Sequence, residues 1–561
     1  MEESSHETAS RVASLLARRQ ELTQALADSP YDLILYLRRA LVHSDLGYPD
    51  LAAGDAYRAL LLTDEVRDGS FEYHEQAVEA LRNRAKDPPP DILDYGALST
   101  GSGDLADGYS AQGPELHQEI TALASVRCFQ VLSLSLLLCG CLRSAYDFCD
   151  RGLVAAPSNR ELLNIKEYIG TVARRRLRTD HFVVADLPDR GLVPREVYPW
   201  NTHEPDRVSP DSLARLNKEL AAVAPKCEVR VAQLPVLLEG ASDTDDYDII
   251  PTCEQLGLFA RVDIAPGEVV LDEYSVLTAN SRRDEPACDA CGSALPPLGP
   301  DSTAAACPDC DDAVFCDATC LARAQALYHP AVCDKDVDTA AKDPKDAHEA
   351  TEALYLLLLV RVLAMAAHQD AHPLDVREVR SIWGDFLPSA ANHIDLSANA
   401  GPPPEWTLPF SFRHNIEQPL SVLERMGADI YATLARHDIW VLNTLYAKFR
   451  GTASARKSRR DGRPDVAAVH PLWCLANHDC DPNVTWEWGG RMRLWARETR
   501  VAGGRPGGIR AGEEILNHYC DVDLPVKQRR EWAQGSLGGW CMCQRCRDEA
   551  GQSQNGTADG G

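Results

Sequence analysis

Eight metal-ligating residue positions between Cys288 and Cys333 constrain this chain more than any other feature. They fall in four pairs: Cys288-x2-Cys291, Cys307-x2-Cys310, Cys316-x3-Cys320 and His329-x3-Cys333. A C-x2-C knuckle lets two thiolates reach one metal, and donors four apart share one face of a helical turn. Eight donors suffice for two tetrahedral zinc ions, whose binding supplies the folding free energy that so short a segment cannot draw from a core. The chain has 19 cysteines, and its opening MEESSHETAS lacks the basic and apolar regions of a secretory signal. A reducing compartment and metal sites are therefore expected rather than a disulfide framework. Cys128, Cys139, Cys141 and Cys149 sit among apolar residues and read as small buried hydrophobes.

At 561 residues the chain exceeds what one hydrophobic core serves, so two or three domains are expected. The longest apolar run, Leu354 to Ala367, is broken by Arg361 and is too short to span a bilayer; it reads as a buried helix, and no membrane partner is expected. A net charge of −27 disfavours direct DNA binding and attracts basic proteins or peptides. Solubility alone accounts for that charge equally well.

Apolar residues recur at three- and four-residue spacing over 1–85 and 118–172, predicting helices. Small residues at Ala40, Gly47, Ala52 and Ala59, and again at Gly140, Ala145 and Gly152 with Pro157 as a stop, suit closely approaching helix pairs. These spacings resemble the tetratricopeptide repeat; a generic helical bundle is the alternative. The Pro-, Gly- and Asp-rich stretch between them reads as a loop, and the acidic stretch Asp243–Asp248 as a solvated linker. GLFARVDIAPGEVVLDEYSVL alternates around Ala265-Pro266-Gly267 and predicts a β-hairpin. Helices are expected over 345–382 and 415–450, a polar basic loop over GTASARKSRRDGRPD, and disorder in the tail GQSQNGTADGG.

The 288–333 pattern, with Phe315 before Cys316, resembles the MYND zinc finger. That resemblance implies interleaved structural sites: Cys288, Cys291, Cys316 and Cys320 on one ion, and Cys307, Cys310, His329 and Cys333 on the other. It also implies peptide partners for the module.

Three further segments carry chemistry. They are Gly257-Leu258-Phe259-Ala260-Arg261 with Pro266-Gly267-Glu268; Asn477-His478-Asp479-Cys480-Asp481-Pro482-Asn483; and Ala511-Gly512-Glu513-Glu514-Ile515 through Tyr519, followed by Cys541-x-Cys543-x2-Cys546. In this order they resemble the SET domain of protein-lysine methyltransferases, in its MYND-containing branch, over about 253–548. The resemblance implies that Cys480 completes a third zinc site with Cys541, Cys543 and Cys546. It also implies S-adenosylmethionine as cofactor, held by Asn477 and His478 and by the backbone near Gly257, Leu258 and Phe259, with Asn443 and Trp540 as further contacts and Tyr519 as the catalytic tyrosine. The chain departs from the family in having Gln255-Leu256-Gly257 for the usual Gly-x-Gly, His518 before the tyrosine, and Gly539-Trp540 ahead of the last cysteines.

The expected architecture is multidomain α+β. A tetratricopeptide-like helical region (1–175) and a linker with pre-SET segment (176–252) precede a β-rich SET fold (253–548). The SET fold contains the zinc insert (288–333), a helical insert (345–450) and a post-SET zinc segment (540–548), and is followed by the tail (549–561). The expected activity is lysine methylation of a basic protein, histone tails included, in the nucleus, the cytoplasm or both. Peptide partners would bind through the helical repeats and the zinc module. The alternative is a non-catalytic adaptor using the same two modules.

Overall fold

A computed structural model of the protein describes residues 2–85, 114–235, 252–281, 286–297, 299–341, 344, 346–383, 407–537 and 539–555. The stretch Asp243–Asp248 and most of the expected loop after residue 85 lie outside them. The chain is mixed helix and sheet and divides into two units, Met1–Tyr198 with Leu387–Thr444, and Pro199–Phe386 with Leu445–Gly561. The described residues 407–444, read from sequence as part of the helical insert, thus pack with the N-terminal helices.

The first unit is built on the helices Glu2–Asp28, Leu33–Asp45, Pro49–Arg67, His74–Ala85, Pro114–Cys139, Leu142–Ala155 and Arg160–Leu177. Asp32 caps the second by accepting the amides of Ile34 and Leu35, and Pro49 opens the third where its missing N–H costs nothing. Helix Pro49–Arg67 packs chiefly on Pro114–Cys139. Ala40, Ala52, Ala59 and Ala145 are fully buried, as close helix approach requires. Gly152 has no room for a side chain, since a Cβ would lie 2.8 Å from Leu162 and Phe129. Gly47 and Gly140 serve differently: at φ +86° and +87° they end helices in the left-handed region. Inside the unit, Arg39 bonds Asp55 at 2.6 and 2.8 Å and reaches Asp438 at 3.1 Å, a buried charge group that pins three segments. Cys128, Cys139, Cys141 and Cys149 are buried here as expected.

In the second unit, strand Cys227–Pro235 runs antiparallel to Thr252–Ala260. Val269–Tyr274 is the outer strand of a three-stranded sheet with Arg491–Ala496 and Val484–Trp488, and Pro464–Val469 is central between Leu277–Asn280 and Ser454–Lys457. Leu256, Leu258, Val270, Leu271, Leu494, Ile509 and Ile515 form part of one core.

Three expectations are corrected. The two strands flanking Ala265-Pro266-Gly267 do not form a hairpin, because each is already paired elsewhere, one with Cys227–Pro235 and the other with Arg491–Ala496. The basic segment is not a loop: Ser454–Lys457 pairs with Pro464–Val469, with Lys457 exposed and the half-buried Arg456 bonding the Gly292 carbonyl at 3.0 Å. The start of the tail is helical, since helix Gln544–Asn555 continues through residue 555. The apolar run lies in helix Ala347–His368, which, like His117–Cys139, is long and apolar enough to cross a membrane, yet 72% of the apolar window in each is buried.

Candidate active site and metal centres

Three donor quartets are each gathered within 4.8 Å: Cys288, Cys291, Cys316 and Cys320; Cys307, Cys310, His329 and Cys333; and Cys480, Cys541, Cys543 and Cys546. The spacings fit zinc. Four sulfurs at about 2.3 Å from an ion form a tetrahedron with edges of about 3.8 Å, whereas a disulfide holds them at about 2.05 Å. The observed separations are 3.9 Å for Cys291–Cys316, 3.8 Å for Cys307–Cys333, and 3.9 and 3.4 Å from Cys480 to Cys541 and Cys546. Hydrogen bonding among neighbouring sulfurs holds Cys291 and Cys480 well below the usual thiol range and pushes Cys320 and Cys541 up, so these two quartets each carry a thiolate that a cation would neutralise.

Local structure presents these donors. Ala305–Ala306 pairs with Val314–Phe315, and Asp317 caps helix Ala318–Leu327 through the Cys320 amide at 2.7 Å. Phe315 is fully buried with its edge towards the His329 ring. Arg361 of helix Ala347–His368 anchors the segment, bonding the Asp289 carbonyl at 2.6 Å while its guanidinium stacks 3.6 Å over Tyr328.

A second constellation forms where Asn477–Asn483 meets residues 513–519. Strand Thr252–Ala260 is bonded on its free edge, with the Ile515 amide donating to the Leu258 carbonyl and Ala260 to Glu513. The Asn477 amide donates to the Leu256 carbonyl at 3.0 Å and to Glu514 Oε1 at 2.7 Å. Gly257 lies against this pair; a Cβ there would stand 2.6 Å from Glu514 Oε1 and 3.1 Å from Asn477 Nδ2. Burial raises Glu514 above the ordinary carboxylate range, and the bond from Asn477 opposes that shift. Asn483 stitches the strand beside it, donating to the Glu514 carbonyl and accepting from the Leu516 amide, both at 2.7 Å.

The Tyr519 hydroxyl donates to the Ala476 carbonyl at 3.0 Å, and the Tyr519 amide donates to His478 Nδ1 at 3.0 Å. Gly257, Asn477, His478 and Tyr519 are thus brought into one network. Leu258 is buried beneath it, Phe259 carries Arg230 over its ring at 5.1 Å, and Trp540 lies under Arg530, which also bonds the Cys541 carbonyl. Asn443 is placed in the first unit, where it is 2% exposed, donates to Asp50 at 2.7 Å and accepts from Asn415 at 3.2 Å.

Sequence reasoning missed several participants. Glu514 lies within a quoted motif but was given no role. Cys520, a fifth thiol packed beside Cys480, was overlooked although it follows the tyrosine. Glu273 accepts the Leu472 and Trp473 amides at 3.2 and 2.8 Å just before the Asn477 segment, and nothing in its strand signals this. His203, His372 and Asp375 also cluster, but the two rings stack 3.8 Å apart at 6°, so their in-plane lone pairs run parallel and do not converge on one ion.

Residues 255–520 match the SET domain family. The chain contains a SET domain. A relative, the histone-lysine N-methyltransferase SET5 of Vanderwaltozyma polyspora, is 35% identical over 77 residues, which cover 13% of this chain and 14% of that protein. The chain therefore aligns with only a small part of that relative's length.

Proposed function

We propose that this protein is an S-adenosylmethionine-dependent protein-lysine N-methyltransferase. The observation that carries the reading is the network within the SET domain joining Asn477, the edge of strand Thr252–Ala260 and the Tyr519 hydroxyl.

When bound, the cofactor supplies an electrophilic methyl group on a sulfonium. The residues fit such a group: Asn477, His478 and the Leu256–Phe259 backbone would hold it, at the point where the missing side chain of Gly257 lets Asn477 and Glu514 close on the strand. A free lysine has a pKa of about 10.4, so under about one in a thousand is a neutral nucleophile at pH 7. A dry channel near a positive charge favours the neutral amine, and lowering its pKa by about three units corresponds to about 4 kcal/mol. The Tyr519 hydroxyl, held on the Ala476 carbonyl, would orient the amine, and the remaining work is alignment.

The three quartets would each hold a structural zinc ion, those of 288–333 in a MYND-type module. The paired helices of the first unit would act as a tetratricopeptide-like recruiting surface. The substrate would be a basic protein or peptide, favoured by the chain's charge of −27, with histones the class named by the relative. The protein would act in the nucleus, the cytoplasm or both.

Calorimetric titration of the zinc-loaded protein with S-adenosylmethionine tests this reading, with Asn477→Ala as the control. Binding that is lost in the control supports the enzyme. A folded protein that binds no cofactor at any practical concentration overturns it in favour of a peptide-binding adaptor. Tyr519→Phe is expected to abolish transfer while retaining cofactor binding.

A further inference from the structure

The His478 ring sits between two groups that the sequence treats separately. A backbone amide can only donate, so the Tyr519 N–H bond at 3.0 Å makes Nδ1 an acceptor. The ring proton of the neutral imidazole therefore resides on Nε2, which stands 3.4 Å from Cys480 Sγ and donates to it. The ring also packs on the Tyr519 ring at 5.2 Å and 39°. Its backbone has little freedom: His478 bridges Asn517, whose amide donates to the Asn477 carbonyl at 2.7 Å and whose carbonyl accepts the Asp479 amide at 2.8 Å. This tautomer also decides between two overlapping donor groups, since Cys480 is close both to the cysteine quartet and to His478 with Cys520. With Nδ1 engaged and Nε2 protonated, His478 is a partner of the sulfur and not a metal ligand.

We propose that His478 is a positioning residue that ties the Cys480 thiolate of the third quartet to the backbone of Tyr519, so that the metal centre holds the tyrosine where its hydroxyl meets the Ala476 carbonyl. The role of Tyr519 rests on the methyltransferase reading; the link between His478 and the two ends of its ring does not. A donor to a ligating sulfur tunes that ligand and fixes its orientation. Here the same ring is fixed at its other nitrogen by the residue that the centre must hold.

Two substitutions separate the ends of the ring. In His478→Asn the shorter amide can accept the Tyr519 N–H but cannot reach Cys480. In His478→Gln the longer amide can donate to Cys480 and leaves the Tyr519 N–H without that acceptor. Both full-length variants would be loaded with cobalt(II) and compared with wild type by the sulfur-to-cobalt charge-transfer band and by hydrogen exchange of the peptide spanning Tyr519. His478→Asn is expected to shift the band while keeping exchange within about twofold of wild type. His478→Gln is expected to keep the band and to raise exchange at least about tenfold, as loss of about 1.4 kcal/mol of protection requires. With a methylatable substrate, both are expected to lower kcat.

Loss of one cobalt equivalent in His478→Asn would overturn the assignment by making His478 a ligand. Identical band and exchange behaviour in both variants would overturn it by removing the link. If wild type binds no S-adenosylmethionine, the enzyme reading fails, and the band and exchange measurements still decide the link.

Discussion

Glu273 offers the sharpest quantitative test. Its carboxylate is 7% exposed and accepts two amides, yet burial pushes its pKa from an ordinary 4.5 up to about 7. The folded chain therefore keeps this proton to higher pH than the unfolded chain does. The stability linked to it is full below about pH 4.5 and is lost as pH rises through 7. The whole difference corresponds to about 3 kcal/mol, of which about 2 kcal/mol falls between pH 5.5 and pH 8. Glu273→Gln removes the titration while keeping one acceptor, at the cost of an unmatched pair of donors worth about 1–3 kcal/mol. The variant is thus expected to be less stable than wild type at pH 5.5 and to close most of the gap by pH 8. Urea unfolding followed by tryptophan fluorescence across that range, with equal zinc and reductant in both samples, measures the difference. The quartets titrate alike in the two proteins and cancel. Parallel pH profiles would refute the argument that burial holds this carboxyl neutral.

Further outcomes are expected from the same geometry. Elemental analysis of the purified protein should find three zinc ions per chain, and Cys541→Ser should lower that to two without disturbing the 288–333 quartets. Gly257→Ala should displace the Asn477–Glu514 pair, costing about 1–3 kcal/mol and weakening cofactor binding measured by calorimetry. Arg361→Met should destabilise the 288–333 module by about 2–4 kcal/mol through loss of the Asp289 carbonyl bond and the stack on Tyr328, seen as faster zinc release to a chelator. In the first unit, Asp55→Asn should remove one of the two buried carboxylates on Arg39 and the one on His43, and cost about 3 kcal/mol in thermal unfolding.

What the sequence revealed follows from how local each signal is. The donor pairs of 288–333 are spaced within a single turn or knuckle, so their pattern is visible without a fold. Cys480 lies 61 residues before Cys541, and only family likeness could join them. Alternation marked Thr252–Ala260 and Val269–Tyr274 as strands, but a strand's pattern does not name its partner, and the short turn between them suggested the wrong one. Charge concealed the strand Ser454–Lys457, since Lys457, which is exposed, and Arg456, which turns to the Gly292 carbonyl, read alike as loop residues. Gly47 and Gly140 were read as points of close helix contact although they are left-handed turn residues. Asn443 and Glu273 owe their surroundings to segments distant in sequence, Asp50 for one and the Leu472–Trp473 turn for the other. No window of residues displays such a pairing.

The separation of Cys480 from Cys541 also sets how the third quartet and the chain constrain each other. A metal ion bridging them closes a loop of some 60 residues that contains Tyr519, and closing a loop of that length removes about 4 kcal/mol of chain entropy from the open ensemble. Any ordering of residues 513–519 by a bound ligand prepays part of that entropy and tightens the grip on the ion. By reciprocity, the ion's presence strengthens ligand binding by the same factor. Occupancy of the centre and occupancy of the pocket would then rise and fall together, and a chain short of metal would lose affinity before losing its fold.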